Sequence, residues 1–280
     1  MPRMQDILDK AEREGAVRRV RTDVQAAVAD VAAPAATLPP EPSPASVPIG
    51  APSLPGTAPV GTLTPSRIVA GAHLDPRLIT ASSAETRVAE QYRALRTRIL
   101  HADPTSPVNV VMLTSAGRGE GKTLTAGNLG LTMAQEWQRR VCIVDADLRY
   151  PQMHRLFGLP DGPGLCDVLA GHAPLEDALV TLEEHDLTIL PAGHVPAHPA
   201  ELLGTSAMRR TIEALRHRFD RVVIDTAPAA PLADVSILAP LVDRVLIVVR
   251  AGRTTKPAIH EAVSAIDAGK LLGFVLNETD

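Results

Sequence analysis

The chain has 280 residues, of which 45% are apolar and 21% are charged, and its formal net charge is −4. This apolar content can build a buried core, and the slight acidic excess argues against a surface that wraps nucleic acid. No stretch of about 18 residues is both apolar and free of charges, so the sequence predicts neither a membrane-spanning helix nor a secretory signal. The two cysteines suit a reducing compartment, and we expect a cytoplasmic protein.

The amino-terminal third divides into a short helical pattern and a long proline-rich segment. A short amphipathic helix is predicted over residues 1–20, and it is either a marginally stable end or a docking element. Ten of the 32 residues from Pro34 to Pro65 are proline, with much alanine between them. Such a composition buries little surface, so we expect a disordered Pro/Ala-rich linker over residues 21–79 and a folded domain over residues 80–280.

A longer helix is predicted from Ala84 to Leu100. Its apolar residues recur at helical spacing on one stripe, which comprises Val88, Tyr92, Leu95 and Ile99. Glu90, Arg93 and Arg96 follow one another at steps of three on the flank and form a charged ridge. The sequence leaves two interpretations open, since these charges could pair with one another or with a neighbouring subunit.

Short apolar runs alternate with helical patterns over the rest of the chain. They are Val110–Leu113, Val141–Val144, Leu187–Leu190, Val222–Ile224, Val245–Val249 and Phe274–Leu276. The runs are continuously apolar rather than alternating, which is typical of parallel strands covered on both faces. We therefore predict an α/β fold with a doubly wound parallel sheet, whose binding residues follow the carboxyl ends of the strands.

The strongest local signal follows the first run, where a loop with three glycines leads directly into Lys122, Thr123 and a helical pattern. Glycines let backbone amides turn inward around a phosphate, and the helix amino terminus adds positive potential. Lys122 would reach the outer phosphates, and Thr123 would bind Mg²⁺. An ordinary glycine-rich turn is the alternative interpretation. The predicted nucleotide-binding residues of this segment are Ala116, Gly117, Arg118, Gly119, Glu120, Gly121, Lys122, Thr123 and Leu124.

Acidic residues end two of the other predicted strands. Asp145 and Asp147 lie two positions apart, so both side chains point to the same side while the strand persists, and Asp225 closes a second strand. Carboxylates beside a triphosphate can hold Mg²⁺ through water or accept a proton from an attacking hydroxyl group. A polar turn that caps the next helix is the alternative. Asn277 ends the last predicted strand and could bind an adenine edge, although a plain turn explains it equally well.

Together these segments resemble the nucleotide motifs of the bacterial tyrosine kinases, the cytoplasmic kinases of capsule and exopolysaccharide assembly. The likeness lies in residues 114–123, 144–151 and 223–228, and in a Glu-x-x-Arg-x-x-Arg match at residues 90–96, which is the family's oligomerisation motif. Because several motifs occur in the family's order, the resemblance is specific.

The resemblance implies a fold of the P-loop NTPase type, in the deviant Walker A class that includes partition and division-site ATPases, with ATP and Mg²⁺ as cofactors. It implies catalytic roles for Lys122, Asp145, Asp147 and Asp225. It implies metal binding by Thr123 together with Asp147 and Asp225. Either Asp145 or Asp147 could be the base toward a tyrosine hydroxyl group.

The resemblance also implies partners. A separate membrane-spanning activator of the polysaccharide co-polymerase type would complete the nucleotide site and recruit the chain to the inner face of the plasma membrane. Self-association would use the charged ridge, namely Glu90, Arg93 and Arg96. No nucleic acid partner is expected.

The sequence departs from the family at the phosphate acceptor. Family kinases usually end in a tyrosine-rich tail, whereas the tyrosines of this sequence are Tyr92 and Tyr150. One alternative is an ATP-dependent switch like the partition ATPases, but these carry a second lysine early in the loop, near Ala116, and this loop has none there. Another is a dinucleotide-binding dehydrogenase, which would leave Lys122 and Thr123 without a role.

Overall fold

The structure, a computed structural model, describes residues 67–82, 86–102 and 107–278. These residues all lie within one unit, Ala58–Asp280. The helix predicted over residues 1–20 and the proline-rich part of the predicted linker lie outside the described residues. No helix within the described ranges has the length and apolar character needed to cross a membrane.

An eight-stranded sheet runs through the centre of this unit. Its strands are β1 (Arg67–Val69), β2 (Val110–Ser115), β3 (Val141–Ala146), β4 (Val180–Leu182), β5 (Leu187–Leu190), β6 (Arg221–Thr226), β7 (Arg244–Arg250) and β8 (Leu271–Asn277). Their order across the sheet is β1-β4-β5-β3-β6-β2-β7-β8. Every neighbouring pair is parallel except β4 with β5, so β1 and β4 run opposite to the other six strands. The predicted α/β fold is confirmed, with an added antiparallel edge.

Helices cover both faces of the sheet, as the continuous burial of β2 and β3 requires. They are α1 (Ile79–Ser82), α2 (Arg87–Leu100), α3 (Lys122–Ala134), α4 (Met153–Leu156), α5 (Leu165–Leu169), α6 (Leu175–Ala178), α7 (Pro199–Leu203), α8 (Ser206–Arg218), α9 (Asp234–Leu238) and α10 (Lys256–Ser264). One core cluster lies between the sheet and α1 to α4, and the other lies between the sheet and α5 to α10.

The folded domain begins earlier in the chain than the sequence predicts. β1, at Arg67–Val69, pairs with β4, and its Arg67 guanidinium donates to the carbonyl oxygen of Pro160 at 2.8 Å. Leu78 is only 1% exposed and belongs to the core that α3 covers. The predicted linker boundary at residue 79 is therefore corrected, because residues 67–79 make strand pairing and core contacts that composition alone does not reveal.

The predicted helix before β2 is present, but its buried face differs from the predicted stripe. α2 begins at Arg87, and the Thr86 hydroxyl caps it by accepting the N–H of Ala89 at 3.1 Å. Ile99 is buried as predicted, whereas Val88 is 37% exposed and Ala89 is buried instead. The helix is thus turned slightly from the orientation that its larger apolar residues suggest.

α3, which follows the glycine-rich loop, is buried almost all round because it lies between the sheet and α2. Its last ten residues are all buried. Two glycines permit this packing: a Cβ atom on Gly130 would lie 2.3 Å from the Cδ1 atom of Ile143, and one on Gly127 would lie 2.8 Å from a methyl carbon of Leu78. The sheet therefore fixes the position of the helix whose amino terminus faces the loop.

Candidate nucleotide-binding site

The loop between β2 and α3 has the conformation that its glycines allow. Gly119 and Gly121 have backbone φ angles of 75° and 89°, which residues other than glycine rarely adopt. A Cβ atom on Gly121 would also lie 2.0 Å from the side-chain nitrogen of Asn277. Both the backbone angle and the close approach of the last strand therefore require glycine at position 121.

Lys122, the first residue of α3, directs its side chain toward the acidic strand ends. Its Nζ donates to Asp147 Oδ2 at 2.6 Å and lies 3.5 Å from the Thr123 hydroxyl oxygen. Burial lowers the pKa of Lys122, but the charges of Asp225 and Asp147 raise it by more, so the net shift is upward. The ammonium group therefore stays charged at neutral pH, as phosphate binding requires.

Asp145 and Asp147 both lie at the end of β3, but their surroundings differ. Asp145 is fully buried, and its two oxygens accept the backbone N–H groups of Met153 at 3.0 Å and Asp147 at 3.3 Å. Asp147 accepts the Tyr150 N–H at 3.1 Å through its other oxygen, Oδ1. Burial raises the pKa of Asp145 to about 8. Asp145 therefore orders the turn after β3, whereas Asp147 faces Lys122.

Asp225, in the middle of the sheet near the end of β6, has the most unusual surroundings. It is fully buried, and within the described residues neither carboxylate oxygen has a hydrogen-bond partner. Burial raises the pKa of Asp225 to about 6, and the charge of Lys122 and the nearby Thr123 hydroxyl oppose this rise. A buried carboxylate without a partner is costly unless a cation or its bound water satisfies it. Asp225 and Thr123 therefore fit Mg²⁺, which prefers oxygen ligands and retains several waters.

A cavity of about 440 Å³ opens at this edge of the sheet. It brings together predicted residues from three separate segments, because Lys122, Thr123 and Leu124 share its lining with Asp147 and Asn277. Arg118, Gly119 and Gly121 also line it. Five predicted residues are not among its lining residues, namely Ala116, Gly117, Glu120, Asp145 and Asp225.

Asn277 lies at the end of β8, where the sequence predicts it. Its side-chain amide donates to the backbone carbonyl of Glu120 at 2.9 Å and so supports the loop. One N–H and the carbonyl oxygen of the amide have no part in that bond. Adenine recognition by Asn277 stays a prediction.

An ion pair that the sequence patterns do not predict links the turn after β3 to α9. Arg149 donates from Nε and a terminal nitrogen to the two oxygens of Asp234 at 2.8 and 2.9 Å. Asp234 is fully buried. The two residues are 85 positions apart, and only the carboxyl-edge position of both segments could have suggested their contact.

Replacing Arg149 by alanine should destabilise the fold by about 3 kcal/mol, because it leaves the buried Asp234 carboxylate without its cation. Arg149→Lys should recover only part of this loss, since an ammonium group cannot make two parallel bonds. Urea unfolding followed by circular dichroism gives both values. A change below about 0.5 kcal/mol for Arg149→Ala would contradict a stabilising role for the pair.

Arg118, at the exposed tip of the loop, covers an aromatic ring of the neighbouring turn. Its guanidinium carbon lies 3.5 Å from the ring centroid of Tyr150, which is 50% exposed. Such a cation–π contact is favourable by about 0.5–1 kcal/mol at an exposed position. It places Tyr150 at the mouth of the cavity, since both residues line it.

The charged ridge of α2 is divided between two directions. Glu90 and Arg93 form an ion pair with one another at 2.6 Å, and Glu90 is exposed. Arg96 instead donates to the carbonyl oxygen of Thr132 at 2.7 Å and lies 3.5 Å from Glu136, so it packs against α3 and its end. Glu90 thus extends into solvent beside its ion-pair partner Arg93, whereas Arg96 supports the fold of its own chain.

The mostly parallel sheet, the glycine loop at a helix amino terminus and the acidic strand ends define a P-loop nucleotide-binding protein. A family model described as an AAA domain matches residues 108–268. The chain is 35% identical over 209 residues to "Tyrosine-protein kinase YwqD" of Bacillus subtilis, covering 74% of this chain and 88% of that protein. It is 30% identical to "Tyrosine-protein kinase ptk" of Acinetobacter johnsonii, covering 72% of this chain and 28% of the longer relative.

Among solved structures, the chimerical protein CapA2B2 is 31% identical and superposes with a TM-score of 0.70, covering 73% of this chain and 91% of that one. These matches show the family as well as the fold. The chain belongs to the bacterial tyrosine kinases, as its motifs predicted.

Proposed function

We propose that this protein transfers the γ-phosphoryl group of ATP to a tyrosine hydroxyl group of a protein. The observation that carries the proposal is the convergence of Lys122, Asp147 and Asp225 beside the glycine loop. In this reaction the bond from the γ-phosphorus to the β,γ-bridging oxygen breaks, the tyrosyl oxygen bonds to phosphorus, and the tyrosyl proton leaves. Membership of the tyrosine-kinase family supports tyrosine as the acceptor.

In this proposal the loop amides and Lys122 bind the ATP phosphates. Thr123 and Asp225 hold Mg²⁺, which when bound neutralises charge on the β- and γ-phosphates. Asp147 is the third residue predicted to bind the metal, but its two oxygens already accept bonds from Lys122 and from the N–H of Tyr150. A carboxylate has further acceptor positions beyond these two bonds, so Asp147 remains a candidate metal ligand in this proposal.

Asp147 is also the better candidate for the base. It lines the cavity, whereas Asp145 does not and is held by two backbone N–H groups. Asp147→Asn should lower the rate of phosphoryl transfer about 100-fold, which is within the range of general acid–base catalysis. Asp145→Asn should mainly lower the unfolding free energy, because it exchanges an acceptor for a donor beside those N–H groups. Equal losses of rate in two equally stable variants would argue against this division of roles.

The chain's own tyrosines differ sharply as acceptors. Tyr92, on α2, packs against the core, and burial raises the pKa of its hydroxyl group. The side chains of Thr125 and Asn128 lie close to this hydroxyl group. Tyr150 is half-exposed at the mouth of the cavity. We propose that the main acceptor is a tyrosine of another protein and that Tyr150 is the chain's own candidate.

Phosphotyrosine formation tests the proposal. The full chain would be incubated with Mg²⁺, labelled ATP and a tyrosine-containing copolymer, and products would be separated by phosphoamino-acid analysis. Label in phosphotyrosine with the wild type, and none with Lys122→Met, supports the kinase. ATP hydrolysis with nucleotide-dependent assembly but no phosphotyrosine would overturn it and favour a switch of the partition-ATPase type. If the chain itself becomes labelled, loss of that label in Tyr150→Phe would identify Tyr150 as the acceptor.

As part of this proposal, a membrane-spanning partner of the polysaccharide co-polymerase type recruits the chain to the cytoplasmic face of the membrane and regulates it there. The ptk relative, of which this chain spans 28%, is long enough to carry such a region fused to its kinase part. Regulation of capsule or exopolysaccharide assembly follows from the family resemblance. A pull-down of the full chain with a detergent-solubilised membrane protein of the co-polymerase type would test the partner, and no retention would argue against it.

Self-association through α2 gives a further prediction. A Glu90→Ala, Arg93→Ala variant should sediment as a smaller species than the wild type, because it removes the exposed Glu90 and its ion-pair partner from the charged ridge. Arg96 is a poor choice for this test, since its loss would also weaken contact with α3. Sedimentation velocity measures the difference, with Arg209→Ala on exposed α8 surface as the matched control. Identical sedimentation of the wild type and the double variant would exclude this interface.

A further inference from the structure

Glu120 is an acidic residue within the loop that would bind phosphate. A carboxylate directed at a triphosphate would repel it, and this repulsion is strong where water is excluded. Yet Glu120 is only 8% exposed, and it does not line the cavity. Its charge must therefore be directed elsewhere in the fold.

Two hydrogen-bond donors, one for each oxygen, satisfy the Glu120 carboxylate. Oε2 accepts the backbone N–H of Ala116 at 3.0 Å, which ties the end of the loop to its beginning. Oε1 accepts the hydroxyl group of Thr254 at 2.7 Å, which ties the loop to the turn between β7 and α10.

The turn that supplies Thr254 is itself ordered by other bonds. The Thr254 hydroxyl group accepts the Arg250 N–H at 2.8 Å while it donates to Glu120. The Arg250 guanidinium forms an ion pair with Glu278, just beyond β8. Asn277 meanwhile binds the backbone carbonyl of Glu120. The side chain and the backbone of Glu120 are thus held by the ends of two different strands.

We propose that Glu120 is a positioning residue, which docks the phosphate loop on the β7–α10 turn through Thr254 and so holds the loop amides in their binding arrangement. A loop with three glycines loses much conformational freedom on binding, and ordering it in advance reduces that cost. The inference rests on the proposed ATP site: the contact between Glu120 and Thr254 sets the affinity of this site for phosphate chains. Contacts that move the β7–α10 turn change phosphate affinity.

Thr254→Val tests this inference, because valine keeps the shape of the side chain but cannot donate to Glu120. Isothermal titration calorimetry on the full chain, in Mg²⁺, would measure binding of ATP and of tripolyphosphate, which has no nucleoside. Both affinities should fall by the same factor, about tenfold, since the loop contacts phosphate in both ligands. Thr254→Ser should restore them. Thr181→Val is the matched control, because the hydroxyl group of Thr181 bonds that of Thr188 on β5, away from the loop. This variant should change neither affinity.

The outcomes separate this inference from the proposed function. A fall for ATP alone would mean that Thr254 contacts the nucleoside directly, and unchanged affinities would mean that docking does not matter; either result overturns the inference and leaves the ATP site intact. Wild-type protein that binds neither ligand would refute the proposed function and this inference with it. In a Glu120→Ala background, confirmed as folded by circular dichroism, Thr254→Val should have no further effect on affinity. A full tenfold effect there would show that Thr254 does not act through Glu120.

Discussion

Replacing Lys122 by methionine should abolish measurable binding of MgATP and lower the rate of phosphoryl transfer about 1,000-fold. The ammonium group is the cation that the loop helix presents to the cavity, and such a group stabilises charge on the transferring phosphoryl group. Methionine has a similar length and no charge. Calorimetry with ATP and the phosphotyrosine assay would measure the two effects separately.

The Lys122 variant needs a control for stability, because its loss also leaves Asp147 without its ion pair. Lys270→Met is the matched control, since Lys270, just before β8, is likewise partly buried and donates to the carbonyl oxygen of Val242. It should bind MgATP as the wild type does. A Lys122→Met protein that is folded and still binds ATP within threefold of the wild type, a difference of about 0.7 kcal/mol, would refute the assigned role.

Replacing Asp225 by asparagine should lower the transfer rate about 1,000-fold while it stabilises the Mg²⁺-free protein by about 1–2 kcal/mol. The two effects have one cause, because a buried carboxylate without a hydrogen-bond partner is costly to the fold and useful only when it faces a cation. The midpoint temperature of thermal unfolding should rise by about 2–8 °C. Adding Mg²⁺ and ATP should raise the unfolding temperature of the wild type but not that of Asp225→Asn.

Asp147→Asn is the contrasting variant for this experiment. Asp147 is fully partnered, so the change should destabilise the Mg²⁺-free protein rather than stabilise it. Unfolding should be followed by circular dichroism, because the single tryptophan, Trp137, is already 86% exposed in the folded state. Destabilisation of both variants to the same extent would contradict the difference drawn between the two carboxylates.

The central strands were predictable because each is a continuous apolar run between helical patterns. β1 and β4 were not, since each has three residues, too few for periodicity to identify. β4 is placed by antiparallel pairing with β5, on the far side of a short turn in which Asp186 has a φ angle of 48°. β1 in turn pairs with β4, far along the chain, and sequence periodicity cannot reveal such a contact.

The position of the site was predictable, but the role of each side chain within it was less so. Topology alone places Asp145, Asp147 and Asp225 at one edge of a parallel sheet. Sequence cannot show that Asp145 is occupied by backbone N–H groups while Asp225 has no hydrogen-bond partner within the described residues. It also cannot show that Arg96 turns toward its own chain, because helical spacing places residues on a face without saying what that face meets.

The bond from Asn277 to Glu120 spans 157 positions of the chain. A ribosome that makes this protein therefore releases β2, the glycine loop and α3 long before it releases the strand that braces them. Until β8 pairs with β7, the loop lacks the hydrogen bond from Asn277 to Glu120 and the close contact of Asn277 with Gly121. The phosphate loop therefore reaches its fully supported form only after the last strand of the domain has been synthesised and has paired with β7.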